Sequence, residues 1–335
     1  VLSRAPLLLA AGALALGVTL AIALVSPQVR AGPPPPVTIL DAAAVRDSGR
    51  GLTLAISSMD GVPLVDPQPA GRSKTPRPLA AAPDGMAMAV STLDPGQVGP
   101  LTIARSDGSQ LEVALPGVWG AAFEPGGTWL AVVDLSGALW RVDATSGAAR
   151  RLADGPFGAD PTVLPDGRVL VVELAAVDAP IWAVAAVVDA KGTVEPIPGS
   201  VPASDQIVHG ASALGDGSVA VVRHRTGGGI SVVRIDARGE ETSLAQLEGA
   251  TGAAVSPDGA RLAWAGGRRT WLASTDDLAS AMPVGDGGPG RFSPDGSLLL
   301  LVATGAAAIV DAGGTRIGQA GPGACWLGDG RGCRP

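Results

Sequence analysis

The chain has no tyrosine and no asparagine, and only two cysteines, two histidines and two lysines, among 335 residues. Each shortage removes some chemistry. Without tyrosine no phenol can serve as a nucleophile, and without asparagine no side-chain amide of that kind can ligate a cation. Two cysteines, Cys325 and Cys333, with no histidine nearby cannot complete a four-ligand zinc site. Charge is scarce too. Charged residues make up 16% of the chain and the net charge is −7, so no broad basic face is available to displace counterions, and nucleic acid is excluded as a partner. The depleted residues share A/T-rich codons, so part of this bias describes the coding sequence. What is abundant is apolar: 46% of residues are hydrophobic, enough for a large core.

A single long run has no charge at all, residues 6–25, PLLLAAGALALGVTLAIALV. Twenty apolar residues at about 1.5 Å each match the hydrocarbon thickness of a bilayer. Arg4 before the run and Arg30 after it give a slight positive-inside bias toward a cytoplasmic N-terminus. The run exceeds the 7–15 residues of a secretory signal core. The nearest small-x-small site, Val29-Arg30-Ala31, has an arginine inside it and Pro33 soon after. The expectation is therefore an uncleaved signal anchor, residues 1–30 forming one transmembrane helix of a single-pass membrane protein. The alternative is a cleaved signal and a secreted or periplasmic product. Pro33-Pro34-Pro35-Pro36, in a spacer over 31–36, would extend as polyproline II and hold residues 37–335 off an extracytoplasmic membrane surface. Export agrees with a disulfide between Cys325 and Cys333 across a hairpin tip at Gly328-Asp329-Gly330. It would stabilise by roughly 2–3 kcal/mol on the chain-entropy estimate.

The remainder is organised by one turn phrase. It closes on glycines 85, 127, 167, 217, 259, 296 and 330, at steps of 42, 40, 50, 42, 37 and 34 residues. The fullest copies are Ala82-Pro83-Asp84-Gly85, Leu164-Pro165-Asp166-Gly167, Ser256-Pro257-Asp258-Gly259 and Ser293-Pro294-Asp295-Gly296; Asp216 and Asp329 keep the aspartate without the proline. Proline presets φ at the first corner, aspartate accepts from the backbone two residues on, and glycine takes the positive φ. These aspartates are read as turn residues, with no metal and no cofactor expected. Between turns run β-branched and aromatic strands such as Thr128–Val133 and Ala138–Asp143. A period near 40 residues with four strands per repeat predicts an all-β propeller. The seventh turn has only Ala324-Cys325-Trp326 before it, while 37–40, 51–56 and 62–65 offer three strands with no turn before them. Joining these ends makes a seventh blade and closes the ring; a six-bladed ring is the alternative if 37–78 is irregular.

The phrases Phe292-Ser293-Pro294-Asp295-Gly296-Ser297-Leu298-Leu299-Leu300 and Ala254-Val255-Ser256-Pro257-Asp258-Gly259 resemble the WD-repeat-like blades of TolB-type β-propellers. Gly126 in place of Asp, and Gly215 and Gly328 in place of Pro, depart from that pattern. The resemblance implies a rigid exported platform that binds an envelope protein or peptide and catalyses nothing; it is analogy at the level of fold. Enzymatic propellers need parts that are missing. The sialidase type uses tyrosine, the lactonase type uses asparagine ligands, and no Gly-x-Ser-x-Gly nucleophile elbow is present. A hydrolase or lactonase using acidic residues around the channel is the competing reading.

The partner-binding candidates are Arg223-His224-Arg225 and Arg268-Arg269, which the repeat register places in loops between second and third strands of neighbouring blades. A basic patch on an acidic protein could hold a carboxylate, a phosphate or an acidic peptide. His209, three residues before Ser212, is read as a loop histidine, since no third catalytic group can be placed. Trp129, Trp140, Trp182, Trp264 and Trp271 are read as packing residues; Trp119 and Trp326 are placed near inner strands, within reach of the channel or a face.

Overall fold

The computed structural model describes residues 42–47, 52–59, 62–69, 75–94, 97–105, 109–115, 117–175, 182–303, 306–320 and 325–326. The apolar run 6–25, the proline spacer, the strand expected at 37–40, Asp329 and Cys333 lie outside the described residues, and with them the transmembrane segment and the Cys325–Cys333 pairing. Among the described residues no helix is long and apolar enough to cross a membrane.

Local chemistry sets the repeat. In each described copy of the turn phrase the closing glycine donates its N–H to the carbonyl three residues back, as Gly259 does to Ser256 and Gly296 to Ser293. Both glycines have φ of 74°, a region closed to most side chains. The aspartate accepts from the N–H two residues on: Asp84 from Met86, Asp166 from Arg168, Asp216 from Ser218, Asp258 from Ala260 and Asp295 from Ser297. A tight reversal every 40 residues or so, flanked by β-formers, leaves antiparallel four-stranded sheets as the way to satisfy the backbone.

Seven such sheets form among the described residues. Six are built from consecutive strands, over residues 75–113, 118–153, 162–196, 206–247, 250–286 and 288–320. We number these blades one to six. Their first strands gather at the centre: Thr75–Ala81 lies against Val118–Phe123, which lies against Thr162–Val163, and Ala250–Val255 lies against Gly288–Phe292. Apolar clusters fill the spaces between consecutive blades. Leu79, Ile103, Phe123 and Leu130 join blades one and two, and Trp129, Leu139, Val169 and Val188 join two and three. Because both sheet faces are covered, a second strand such as Trp129–Asp134 is buried at every position and lacks the alternation of a half-exposed strand.

The seventh sheet unites the two ends of the chain. Its order is Ala42–Asp47, Leu52–Met59, Val62–Pro69, Cys325–Trp326. The late strand pairs with the third of the early strands, Cys325 opposite Val65 and Trp326 opposite Leu64. Pro63, Pro67 and Pro69 have no N–H to offer a ladder, and Leu64 and Val65 lie between them. Trp326 is 4% exposed and packs with Leu298, Leu300, Ala307 and Ile309 of blade six. Its Nε1 donates to the Arg291 carbonyl at 2.9 Å. The ring of the all-β propeller is thereby closed.

Candidate functional site

Strand register decides which side chains share a face. Within a blade, the start of the first strand sits beside the end of the second: Val118 opposite Asp134 in blade two, Gln206 opposite Arg225 in blade four, Ala250 opposite Gly266 in blade five. The Pro-Asp-Gly turns lie at the other end. One face of the ring therefore has the loops between second and third strands and the loops that lead into each blade; we call it the rim. The opposite face has the repeat turns.

Six large apolar side chains are markedly exposed among the described residues, and four of them belong to the rim: Trp119 at 44%, Leu135 at 41%, Val201 at 59% and Ile207 at 45%. Met86 lies at a repeat turn and Met282 in an outer strand. Trp119 is held in place, its indole Nε1 donating to the Leu135 carbonyl at 3.3 Å. The loop bearing Leu135 is fixed in turn by Asp134, which is 3% exposed. The Asp134 carboxylate accepts from the Ser136 N–H and hydroxyl, the Ala138 N–H and, at 2.8 Å, the Trp140 indole. Burial alone would raise its pKa, but the bonds from Ser136, Trp140 and Ala138 outweigh it and hold the group below the ordinary carboxylate value of 3.8.

The sign of that shift gives a prediction. Asp134, Asp166, Asp258 and Asp295 all titrate lower in the fold than in the unfolded chain. Their stabilisation is present above the unfolded value, about 4, and disappears as pH falls through the lowered folded values. Thermal melts are expected to be level from neutral pH down to about pH 5 and to fall steeply below about pH 4. Asp134→Asn should melt lower at neutral pH and lose less on acidification. An acid limb identical to the parent's would show that Asp134 takes no part.

The segment leading into blade three, residues 157–161, runs beside the second strand of its own blade, with Phe157 bridged to Glu173. Phe157 N–H donates to Gly137 O and Gly158 N–H to Val172 O. The segment crosses so near the inner strand of blade two that a Cβ on Gly120 would overlap the Ala159 carbonyl. From it Asp160 meets Arg291, on the inner strand of blade six, at 3.5 Å. This ion pair joins parts of the ring 131 residues apart in sequence.

The basic candidates differ from their expected placement. Arg223, His224 and Arg225 belong to the strand Val219–Arg225, not to a loop. Arg223 is 5% exposed; it donates to Gly199 O at 2.9 Å and to Glu241 at 2.8 Å. It is an internal brace, because the ladder continues through Arg223, which pairs with Val208 on one side and Ser231 on the other. Arg225 is paired with Glu248. His224 is half-buried, its ring 4.6 Å from that of His209, and burial pushes its pKa below 6.5. Arg269 begins the strand Arg269–Ser274 and Arg268 stands in the turn before it, both exposed. Since Ala250 pairs with Gly266, the Glu248 turn that engages Arg225 and the Arg268 turn lie at one end of adjacent blades. The register thus puts Arg225, Arg268 and Arg269 on the rim with Trp119, and takes Arg223 into the interior.

Sequence reasoning missed Asp134 and Leu135. Their signal was the loop Asp134-Leu135-Ser136-Gly137, in which an acid followed two residues later by serine makes a self-capped turn. Among the described residues no group of three or more His, Cys, Asp or Glu side chains is gathered as metal ligands would be.

No protein-family model matches the chain, and no curated protein matches it. Among solved structures it is similar to TolB from Acinetobacter baumannii, with 17% identity, 78% of this chain and 77% of that one covered, and a TM-score of 0.48. It is also similar to an oligogalacturonate lyase from Vibrio parahaemolyticus, with 11% identity, 79% and 97% covered, and a TM-score of 0.48. An oligogalacturonate lyase in complex with manganese gives 10%, 75% and 93%, and 0.46. Such likenesses speak to neither ligand nor reaction. The fold that the TolB-type resemblance implies, a β-propeller, is the one that the chain's own sheet topology has.

Proposed function

We propose that the propeller is a non-catalytic platform that binds a protein or peptide of the cell envelope through its rim, anchored to the membrane by residues 6–25. The observation that supports it is the segregation of exposed apolar surface. Trp119, Leu135, Val201 and Ile207 stand on one face, whereas on the opposite face, built of self-capped polar turns, Met86 is the large apolar side chain left exposed among the described residues. Exposed aromatic and aliphatic side chains concentrated on one face are typical of surfaces covered by a partner, and a tryptophan fixed by its own hydrogen bond is suited to anchor one. Arg225, Arg268 and Arg269 add positive charge to that face of an acidic protein, which favours a partner carrying Asp or Glu beside its apolar residues.

The reading is tested by photo-crosslinking in cells. A crosslinking amino acid in place of Trp119 or Arg268 is expected to trap a defined envelope protein. The same residue in place of Asp84 or Asp295, on the turn face, is expected to trap none. Combining Trp119→Ala with Arg268→Ala and Arg269→Ala should weaken capture at least about tenfold, the effect of one anchor residue. Equal trapping from both faces would sink the assignment of the rim.

A further inference from the structure

A second feature lies at the other end of blade two, away from Trp119. The strands Leu139–Asp143 and Ala149–Ala153 set Arg141 directly opposite Arg150. Like charges facing one another across antiparallel strands destabilise a sheet, and a cross-strand pair normally has opposite charges or none. No ion pair relieves Arg141 among the described residues; its guanidinium lies over the Trp129 ring, 4.2 Å from the centroid. Arg150 gives one N–H to the Ala190 carbonyl of blade three at 3.0 Å. Asp143, close enough for the Arg141 charge to help hold it ionised, also has its Oδ1 accepting from Thr145 N–H, Ser146 N–H and the Ser146 hydroxyl. The bonds from Ser146 hold it ionised, below 3.8.

These groups surround an open cavity of about 210 Å³ on blade two, lined by Thr128, Trp129, Arg141, Asp143, Ala148 and Arg150, on the side where Arg150 reaches Ala190 of blade three. Trp129 is buried in the apolar cluster joining the two blades, so the wall beneath Arg141 is apolar. Two guanidinium groups against one committed carboxylate leave the cavity positive. Guanidinium forks match planar or tetrahedral oxyanions in two-point contact.

We propose that this cavity is a binding site for a small oxyanion, the phosphate or carboxylate group of a small molecule, held between Arg141 and Arg150. The site is independent of the rim. It would couple a soluble metabolite or ion to the packing of two blades without touching the partner surface.

The test uses the purified full chain in thermal melts, with sodium phosphate and sodium acetate each compared against sodium chloride at one ionic strength. Phosphate, acetate or both are expected to raise Tm in a saturable way. A response to phosphate alone assigns a phosphate ligand, to acetate alone a carboxylate, and to both an oxyanion of either kind. Arg150→Gln, at an exposed position that leaves the core intact, should weaken the apparent affinity at least about tenfold, as loss of a charge-assisted pair does. Arg141→Gln should do the same, and Arg151→Gln, whose partner is Asp154, should change nothing. The proposal falls if neither anion moves the parent relative to chloride, or if Arg150→Gln responds as the parent does.

Discussion

Replacing Trp326 with alanine is expected to lower the stability of the propeller by about 3–5 kcal/mol, the range for a buried aromatic truncated in a core. The side chain is 4% exposed and packs among Leu298, Leu300, Ala307 and Ile309. Its indole is also the donor to the Arg291 carbonyl. Among the described residues it sits in the ladder that joins Cys325 to Val65 and Trp326 to Leu64. Two effects therefore coincide: a cavity opens against blade six, and the seam between the two ends of the chain loses its main contact. In calorimetry of the full chain the midpoint should fall by roughly 6–15 °C. Trp326→Phe keeps most of the buried area and loses the N–H donor, so its cost should be nearer 1 kcal/mol. If alanine cost less than about 1 kcal/mol, measured against that hydrogen-bond scale, the seam would not be what holds the ring together.

The second large effect is expected at Gly120. The strand Val118–Phe123 is buried at every position except Trp119, and a Cβ on Gly120 would overlap the Ala159 carbonyl oxygen. The obstructing atom is backbone. Its segment is tied by Phe157 to Gly137 and by Gly158 to Val172, so it has little freedom to retreat. Gly120→Ala should cost about 1–3 kcal/mol by overpacking. It should also shift Asp160 away from Arg291 and tilt the neighbouring Trp119, with loss of crosslinking from the rim. Gly252→Ala is the control, because a Cβ there meets nothing within 4 Å; it should leave stability and crosslinking unchanged. Parent-like crosslinking in Gly120→Ala would separate the blade-three segment from partner recognition.

The fold was legible in the sequence because its rule is local. A Pro-Asp-Gly reversal is decided within four residues, and its spacing alone implies sheets of four strands. The rim was only partly legible. Arg268 and Arg269 stand where the repeat places them, but Arg223 finds Glu241 eighteen residues away, a pairing that depends on how the outer strand returns. Trp119 is held by the Leu135 carbonyl of the neighbouring loop, and Asp134 is hidden by folding of that same loop. The opposition of Arg141 and Arg150 was not legible either. They are nine residues apart, and which residue faces which is set by the turn closing between Val142 and Ala149, on the near side of the register shift at Leu139.

The pairing of Trp326 with Leu64 has a temporal side. Its two halves are synthesised about 260 residues apart, which at usual elongation speeds separates them by tens of seconds. Throughout that interval Val62–Pro69 waits as a naked edge, with only its prolines to discourage a stranger's strand. Nascent copies of this protein therefore pass through a period in which they are most open to mispairing with one another. Synthesis of many copies at once would be the condition that exposes it.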